Sequence, residues 1–399
     1  MDSYAAKKAL EEAKTLVAEL EAYDGTIEQH YALLRRTDKM REAMERPYDV
    51  ATRWMETMSC AAAMNFVIRT GIFDKLPRGG GGVTVSQLAS SCRVDALTLR
   101  RALRVMAADG IFQETTGIDE YADTTLSTAF RSEGLAGFIT MCVDLVGAWF
   151  ALPKYCETHE PEDVADIRKS PFAFAAGLEG KTYYEILDQN PVQRGLWNKG
   201  MQSTEKHFPI VGMFPFQDLS ARVAESPERP YIVDVGGGRG QALLAIREHY
   251  GGDFGGELVL QDLPIVIDAL RPEEIPGIKP MTYDIFTPQP VKGAHVYFMR
   301  RLLHDFHDPE AVVILRNTVS AMAPDSRLII CDMLVPDRVD VGGPKTLYWL
   351  DFCLVNIGGK ERSLDNFHEI LAAAGLELVK VYPSHKDHTV MLETRLLIA

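Results

Sequence analysis

Apolar residues recur at helical spacing in residues 3–45, a stretch that is rich in Ala, Leu, Glu and Lys. The apolar positions that define its first face are Leu10, Ala13, Leu16, Val17 and Leu20. This spacing predicts two helices, with a break near Gly25. A pair of helices that lies outside the core of its own domain is typical of an element that packs against a partner subunit. A solvated N-terminal extension has the same pattern. We favour the first interpretation and expect a homodimer.

The pattern of residues 50–130 indicates a winged-helix unit. An apolar helix over 61–72 ends near Gly71, Thr84 caps a second helix, and a third helix runs over 95–108. Short strands at 111–114 and 120–121 flank a turn and resemble a wing. The residues expected on the buried side of the third helix are Leu97, Leu99, Leu103, Val105 and Met106.

The same third helix carries Arg100, Arg101 and Arg104, where a repressor would read DNA. A winged helix used only for packing between subunits has this pattern as well. The surrounding acidic residues favour the packing role, because they would repel nucleic acid.

Residues 131–225 are predicted to be mostly helical, with aromatic clusters that suit either an apolar pocket or an ordinary core. After residue 230, strand and helix patterns alternate, which predicts a parallel sheet. The expected strands lie at 231–235, 257–261, 280–283, 294–299 and 326–332. Helices near 345–357 and 363–374 follow, and strands at 376–382 and 388–395 have hairpin spacing.

The predicted fold class is therefore α/β, with a Rossmann-like sheet that ends in an antiparallel hairpin. Three regions are expected: a helical dimerisation region with a winged helix over 1–130, a helical connector and pocket wall over 131–225, and a cofactor-binding catalytic domain over 226–399. The 399 residues suffice for two or three domains.

Composition narrows the expected partners. The net charge of −14 argues against nucleic acid or an anionic membrane as the main partner. The six cysteines form no C-x-x-C pair, so no metal site and no disulfide framework is predicted. Without an apolar signal core at the N-terminus or a run near 20 apolar residues, we expect a cytoplasmic protein.

The most informative segment is 231–241, in which a buried strand, YIVDV, runs into GGGRG and then into a helix. Glycines allow close backbone approach to a ligand, and the helix N-terminus behind them offers free N–H groups. A dinucleotide site requires G-x-G-x-x-G, but Gln241 occupies the third glycine position. The spacing G-x-G-x-G through Gly236 and Gly238, with Asp234 ahead, is the pattern of S-adenosylmethionine (SAM) sites.

Two further acids end successive strands. Asp262 is placed to accept hydrogen bonds from ribose hydroxyls, as in dinucleotide sites, and Asp284 to take the adenine amino group. Each could otherwise be a helix cap or a turn residue. Arg300 ends the fourth strand and could hold the cofactor carboxylate, while Phe286 follows Asp284.

The segment after the fourth strand contains the candidate base. His304 lies at the carboxyl end of that strand, where ligands bind in open α/β sheets. A lone histidine after a strand is commonly structural, but this one borders the predicted cofactor site. It is placed to take a proton from an acceptor hydroxyl.

At this point the chain resembles the plant-type small-molecule SAM-dependent O-methyltransferases, most of all their fungal branch. The resemblance spans nearly the whole chain and rests on four motifs: VDVGGGRG at 233–240, DLP at 262–264, LHDFHD at 303–308 and GGKERS at 358–363.

The resemblance implies that His304 is the catalytic base and that Asp332 and Glu361 orient its imidazole. The family usually has Glu at the position of Asp332, so the shorter side chain reaches less far. The resemblance also implies substrate contacts for Asn356 and Asp305. Two cofactor positions differ from the usual residue: Phe306 replaces Trp beside adenine, and Arg300 replaces Lys.

Lys345 departs from the family pattern. The family usually has apolar or small residues there, so the lysine is either a surface residue at a helix start or a donor to a substrate carbonyl. Some fungal relatives keep SAM but catalyse dehydrations and pericyclic cyclisations instead of methyl transfer.

Three hypotheses result. The leading one is a SAM-dependent O-methyltransferase that acts on a hydroxyl of a small aromatic or polyketide-type secondary metabolite. The alternative is a SAM-bound cyclase or pericyclase that does not transfer methyl. The third is a ligand-sensing transcription factor that uses the winged helix.

Overall fold

The computed structural model of the chain describes residues 3–205, 208–251, 255–339, 343 and 345–397. These residues form two compact units. The first contains the described residues in 3–147, 187–205 and 343; the second contains those in 148–186, 208–339 and 345–397.

Helices dominate the first half of the chain, and most of the long strands lie in the second half. The helices are α1 (Ser3–Glu21), α2 (Ile27–Met44), α3 (Pro47–Arg69), α4 (Ile72–Lys75), α5 (Val85–Cys92), α6 (Ala96–Ala108), α7 (Thr125–Ala129), α8 (Ala136–Trp149), α9 (Leu152–Thr158), α10 (Pro171–Ala176), α11 (Tyr183–Leu187), α12 (Pro191–Glu205), α13 (Ser220–Glu225), α14 (Gln241–His249), α15 (Pro264–Ile267), α16 (Asp308–Val319), α17 (Lys345–Val355) and α18 (Leu364–Ala374). The strands are β1 (Val83–Thr84), β2 (Gln113–Glu114), β3 (Glu120–Ala122), β4 (Ile232–Val235), β5 (Leu258–Asp262), β6 (Lys279–Thr282), β7 (Val296–Arg300), β8 (Arg327–Met333), β9 (Leu376–Pro383) and β10 (Thr389–Leu396). Short 3-10 helices lie at Pro161–Ala165, Phe216–Leu219, Pro272–Glu274 and Leu303–Asp305.

The first unit begins with the two predicted helices. They are separated at Gly25, whose φ is 86°, and Thr26 caps α2 by accepting a hydrogen bond from the Gln29 N–H. In the winged-helix part, Thr84 and Gln87 form a capping box at α5, and Asp95 caps α6. The wing is a three-stranded antiparallel sheet with the order β1-β3-β2. Its edge strand β1, of two residues, is too short to leave a periodic pattern in the sequence.

The buried side of α6 differs from the prediction at one position. Leu99, Leu103 and Met106 are fully buried and Val105 packs partly buried against the same cluster, but half of Leu97 is exposed to solvent. Leu97 lies two residues before Leu99, which rotates it by roughly 200° around the helix, away from the core.

Two of the arginines on α6 contact the wing. Arg100 and Arg104 both approach Asp119, with Nη2–Oδ distances of 2.7 and 3.9 Å. These arginines therefore join the helix to the wing within the chain.

The second unit is built on a seven-stranded sheet with the order β6-β5-β4-β7-β8-β10-β9. The first five strands pair in parallel, and β10 runs antiparallel between β8 and β9. Every strand expected from the sequence in this sheet is present close to its predicted bounds, and the terminal hairpin is confirmed.

Successive residues of each central strand face opposite sides of this sheet. Val233 and Tyr297 belong to one apolar cluster with α16 and α18, whereas Ile232 and Phe298 belong to another with α14. Because both faces bury a core, the strands read as continuous apolar runs. The α/β fold class is confirmed.

In the described part of the chain, no single helix is both long and apolar enough to cross a membrane. Only α8 and α9 taken together reach that length and composition, and they are bent by 44°. The cytoplasmic location stays a prediction.

Candidate active site

The glycine loop lies where the strand order of the large sheet reverses. Strands β5 and β6 lie on one side of β4, and β7 and β8 lie on the other. The carboxyl ends of the strands on either side of such a reversal leave a crevice in which ligands bind. The predicted loop connects β4 to α14 at this crevice.

Glycine is required in this loop for two physical reasons. Gly236, Gly238 and Gly240 have φ values of 70°, 60° and 81°, which strain any residue with a Cβ. A Cβ on Gly237 would lie 2.4 Å from Asp234 Oδ2 and 2.5 Å from Leu260 Cδ1. By contrast, a Cβ on Gly238 would meet nothing closer than 3.8 Å, so the space beside this residue is open to a ligand.

The three predicted acids, Asp234, Asp262 and Asp284, differ in their surroundings. Asp234 is fully buried beneath it. Asp262 accepts hydrogen bonds from the backbone N–H of Gly238 at 2.8 Å and of Leu263 at 2.7 Å. It therefore fixes the loop, and a carboxylate retains further lone pairs for a ligand. Asp284 is exposed and accepts from the Phe286 N–H at 3.0 Å.

The remaining predicted cofactor residues lie on the loops that follow β6 and at the end of β7. Phe286, 42% exposed, meets Phe306 edge to face with ring centroids 5.4 Å apart. Arg300 is partly buried, and its Nη2 donates to the Phe208 carbonyl at 3.5 Å. The open space at Gly238, the Asp262 carboxylate and this aromatic pair suit a nucleoside with a charged tail.

His304 and Glu361 form a buried pair. Nδ1 of His304 lies 3.0 Å from Oε1 of Glu361, and the two residues are 7% and 6% exposed. A carboxylate can only accept, so Nδ1 carries the proton and donates it to this bond. The other ring nitrogen, Nε2, is left with the lone pair that a base requires.

The charged groups around His304 and Glu361 shift the pKa values of these two residues in opposite directions. Burial and Arg301 lower the pKa of His304, but Glu361 and Asp305 outweigh them, so the pKa is raised above its ordinary value. Burial would raise the pKa of Glu361, yet the His304 imidazole, its hydrogen bond and two arginines lower it. Glu361 is therefore the ionised partner of His304.

Asp332 differs from Glu361 in its surroundings. It is 1% exposed, and neither carboxylate oxygen has a hydrogen-bond partner among the described residues. Burial, together with Glu361, raises the pKa of Asp332 to about 6, although His304 opposes this. The Asp332 carboxyl is thus close enough to feel the charges of the pair, but only Glu361 bonds to the imidazole.

The segment GGKERS at 358–363 forms hydrogen bonds with the backbone of residues 303–306, which include His304. The Lys360 N–H donates to the His304 carbonyl at 2.9 Å, and a Cβ on Gly359 would lie 2.3 Å from that oxygen. Arg362, 1% exposed, donates to the carbonyls of Leu303 at 2.8 Å and Phe306 at 2.7 Å. These hydrogen bonds join the segment GGKERS to the segment that carries His304.

Two residues near His304 were not singled out from the sequence. The Tyr184 hydroxyl donates to Asp305 Oδ2 at 2.8 Å, and Asp305 Oδ1 lies 3.5 Å from His304 Nε2. Arg301 Nη2 lies 3.4 Å from His304 Nδ1. Tyr184 is distant in sequence, so only the folded chain reveals its contact, whereas Arg301 was visible within the motif RRLLHDF.

The predicted substrate residues Asn356 and Lys345 differ in their exposure to solvent. Asn356 is fully buried, and its backbone carbonyl accepts a hydrogen bond from the Phe172 N–H at 2.9 Å. Lys345 is exposed at the first position of α17. Near Asn356, Phe172 and Tyr183 meet edge to face at 4.8 Å, and Tyr183 in turn meets Tyr184 at 5.4 Å. These three rings form one cluster.

Other aromatic residues of 131–225 are placed differently. Trp149 stacks on Phe352 at 4.9 Å and donates to its carbonyl. Phe150 is 70% exposed, and Trp197 belongs to the first unit. Within the second unit, Trp149 therefore belongs to a stacked pair with Phe352, and Phe150 faces solvent.

Two family models and a curated relative match the chain. The family model of the O-methyltransferase domain matches residues 159–377, and that of the O-methyltransferase dimerisation domain matches 53–133. The chain is 36% identical to the O-methyltransferase hmp5 of Hypomyces subiculosus, over 92% of each chain.

Solved structures of similar proteins superpose on nearly the whole chain. OxaC, 28% identical, superposes with a TM-score of 0.85 over 98% of this chain and 100% of that one, and one of its structures holds SAH and oxaline. A protein described as a pericyclic reaction enzyme superposes with a TM-score of 0.83 at 25% identity, over 98% and 100% of the two chains. The present chain belongs to the O-methyltransferase family and is a SAM-dependent O-methyltransferase with a dimerisation domain.

Proposed function

We propose that the methyl acceptor is a hydroxyl of a small aromatic or polyketide-type metabolite and that His304 is the general base. The hydrogen bond between His304 Nδ1 and Glu361 is the observation that carries this proposal. It leaves the Nε2 lone pair of a buried imidazole available to take the hydroxyl proton.

The energetics of this proton transfer favour positioning over strong basicity. A phenol of pKa near 10 that gives its proton to an ordinary histidine of about 6.5 is uphill by about 5 kcal/mol. The raised pKa of His304 reduces this cost, because Glu361 and Asp305 stabilise the imidazolium. Alignment of the reacting atoms can supply roughly 7–11 kcal/mol.

Residues around the glycine loop are proposed to hold the cofactor. When bound, SAM supplies a methyl group on a cationic sulfonium sulfur, which an oxygen nucleophile can attack. The backbone at Gly236 and Gly238 admits it, Asp234 lies beneath the loop, and Asp262 takes the ribose hydroxyls. Asp284, Phe286 and Phe306 receive the adenine, and Arg300 the carboxylate.

Substrate contacts are assigned to Asn356, Asp305 and Lys345. Tyr184 shares the Asp305 carboxylate, so this acid is already held in place beside the Nε2 atom of His304. Asp332 is proposed to act through its charge on the base, since it makes no hydrogen bond with it among the described residues.

Incubation with methyl-labelled SAM and a panel of phenols and hydroxylated polyketides tests the proposal. We expect labelled methyl ether and SAH from the wild type, with loss of turnover in His304→Asn at unchanged SAM affinity. A His304→Asn variant as active as the wild type would remove the base role.

The alternative is a SAM-bound cyclase or pericyclase. The likeness to the pericyclic reaction enzyme and the exposed Lys345 favour it. It requires conversion of an unstable alcohol without loss of methyl from SAM. Release of SAH in step with product would exclude it.

We also propose that homodimers form through α1 and α2 as well as the dimerisation domain. Large apolar residues are exposed on these helices: Leu10, Val17, Leu20, Ile27, Tyr31 and Leu34. The division into regions 1–130, 131–225 and 226–399 is retained as part of this proposal.

A further inference from the structure

Arg301 has an unusual backbone conformation. Its φ is 50°, and among the described residues other than glycine only Arg93 and Asp119 also have a positive φ. This left-handed conformation is strained for a residue with a Cβ. Glycine or asparagine would relieve the strain, and such outliers persist where a side chain is needed at that place.

The Arg301 side chain lies against the catalytic pair. The side chain is 16% exposed, and its Nη2 lies 3.4 Å from His304 Nδ1 and 3.8 Å from Glu361 Oε1. The guanidinium carbon lies 4.4 Å from the centre of the Phe208 ring. The backbone N–H donates to the Cys331 carbonyl at 3.0 Å, which ties the residue to β8 next to Asp332.

We propose that Arg301 is a positioning residue whose positive charge helps to keep Glu361 ionised and opposes protonation of His304 before the substrate binds, so that Nε2 is free to accept the acceptor proton in a larger share of the molecules. This inference rests on the proposed role of His304 and deepens it. Phe208 holds the guanidinium in place, and the strained backbone is the cost of placing a cation there.

Glu361 and Arg301 both lie near Nδ1 of His304, but they interact with it in different ways. A guanidinium only donates and a carboxylate only accepts, so both cannot hydrogen-bond the same nitrogen in one state. Because Glu361 at 3.0 Å takes the Nδ1 proton, Arg301 at 3.4 Å acts on the ring as a nearby positive charge. A positive charge there opposes a second proton on the imidazole.

The other charged groups around His304 act mostly in the opposite direction. Glu361, Asp305 and Asp332 are acidic, while Arg362 is basic but bonds to the loop carbonyls and to Asp308. Arg301 lowers the pKa of His304, and its removal would leave the carboxylates unopposed. Without this guanidinium, a larger share of His304 would be protonated at neutral pH and unable to act as a base.

The test measures the protonation of His304 directly. Protein labelled with ¹⁵N in its histidine rings and saturated with SAH is titrated by NMR, and the His304→Asn spectrum assigns the signal. The variants are Arg301→Asn, which suits the left-handed backbone, Arg301→Gln, which keeps the strain, and Arg301→Lys, which keeps the charge. Arg271→Asn, at an arginine with 68% of its side chain exposed, is the matched control.

We expect the titration midpoint of His304 to rise by about one pH unit or more in Arg301→Asn and Arg301→Gln, since a charge within about 4 Å is removed. In Arg301→Lys the midpoint should rise by less than half of this amount, and in Arg271→Asn it should not change. If one neutral variant fails to fold, the other still decides. Midpoints within about 0.3 unit of wild type in the neutral variants, or an equal shift in Arg301→Lys, would overturn the proposal.

The titration needs no methyl acceptor. It can therefore fail while methyl transfer by this protein is confirmed, and it can succeed while the proposed acceptor class proves wrong. Once an acceptor is found, the low-pH limb of kcat should move upward in Arg301→Asn by the same amount as the NMR midpoint.

Discussion

Replacing Glu361 by Gln tests the contact on which the proposed chemistry depends. The substitution keeps the size of the side chain but removes the carboxylate that accepts the Nδ1–H bond at 3.0 Å. When His304 takes the substrate proton, its imidazolium loses an adjacent counter-charge in a site that is almost closed to water. The ground state, with a neutral ring, loses much less.

The expected magnitude follows from that distance. Two unit charges 3.0 Å apart interact by about 5.5 kcal/mol at an effective dielectric constant near 20. Arg301, 3.8 Å from the same carboxylate, already offsets part of this interaction. A net loss of about 2–4 kcal/mol remains, which corresponds to a decrease in kcat of roughly 30- to 1,000-fold.

The assay is initial-rate methyl transfer to the acceptor found in the panel, with SAM affinity measured by calorimetry. Glu369→Gln, an exposed carboxylate on α18, is the matched control and should behave as wild type. We expect the affinity for SAM to be unchanged in Glu361→Gln. If kcat falls by less than about threefold in a folded variant, Glu361 does not stabilise the charged base and the reasoning is wrong.

Three further predictions follow from the same contacts. Gly237→Ala should lose about 1–3 kcal/mol of stability and bind SAM at least tenfold more weakly by calorimetry, because its Cβ would clash with Asp234 and Leu260; Gly195→Ala, in open space, is the control. Asp332→Asn should raise the thermal midpoint at pH 8 and change it much less at pH 4. Burial raises the pKa of the carboxyl from 3.8 to about 6, so its ionisation lowers the stability of the folded protein above that pH, and this cost largely disappears as the pH falls toward the unfolded value. For the wild type, kcat should fall as the pH decreases through the raised pKa of His304, because only the neutral imidazole accepts a proton, and a rate that stays flat to about pH 5 would contradict this.

The cofactor cradle could be predicted well from the sequence because its requirements are local. Positive φ values and the crowding at Gly237 demand glycine, and glycine is visible in a sequence. Strands with both faces buried give continuous apolar runs, so the order of elements in the second unit was predictable. The two-residue strand β1 directly precedes α5 and carries no such signal, whereas β2 and β3 could be predicted from the turn that they flank.

Contacts between distant segments could not be predicted in the same way. The bond from Tyr184 to Asp305 depends on how the helical connector folds onto the sheet. Arg301 was overlooked for a different reason, because its importance depends on a left-handed backbone and on Phe208. The buried state of Asp332, without a hydrogen bond among the described residues, likewise required coordinates.

The stoichiometry of cofactor use tests the central claim most directly. With the natural acceptor or the best surrogate, product and SAH are quantified together by mass spectrometry over several turnovers. An O-methyltransferase that uses His304 as its base yields one SAH for each molecule of product, and the product is heavier by one methylene unit. Product that accumulates while SAM stays intact would contradict methyl transfer and assign the site to cyclisation.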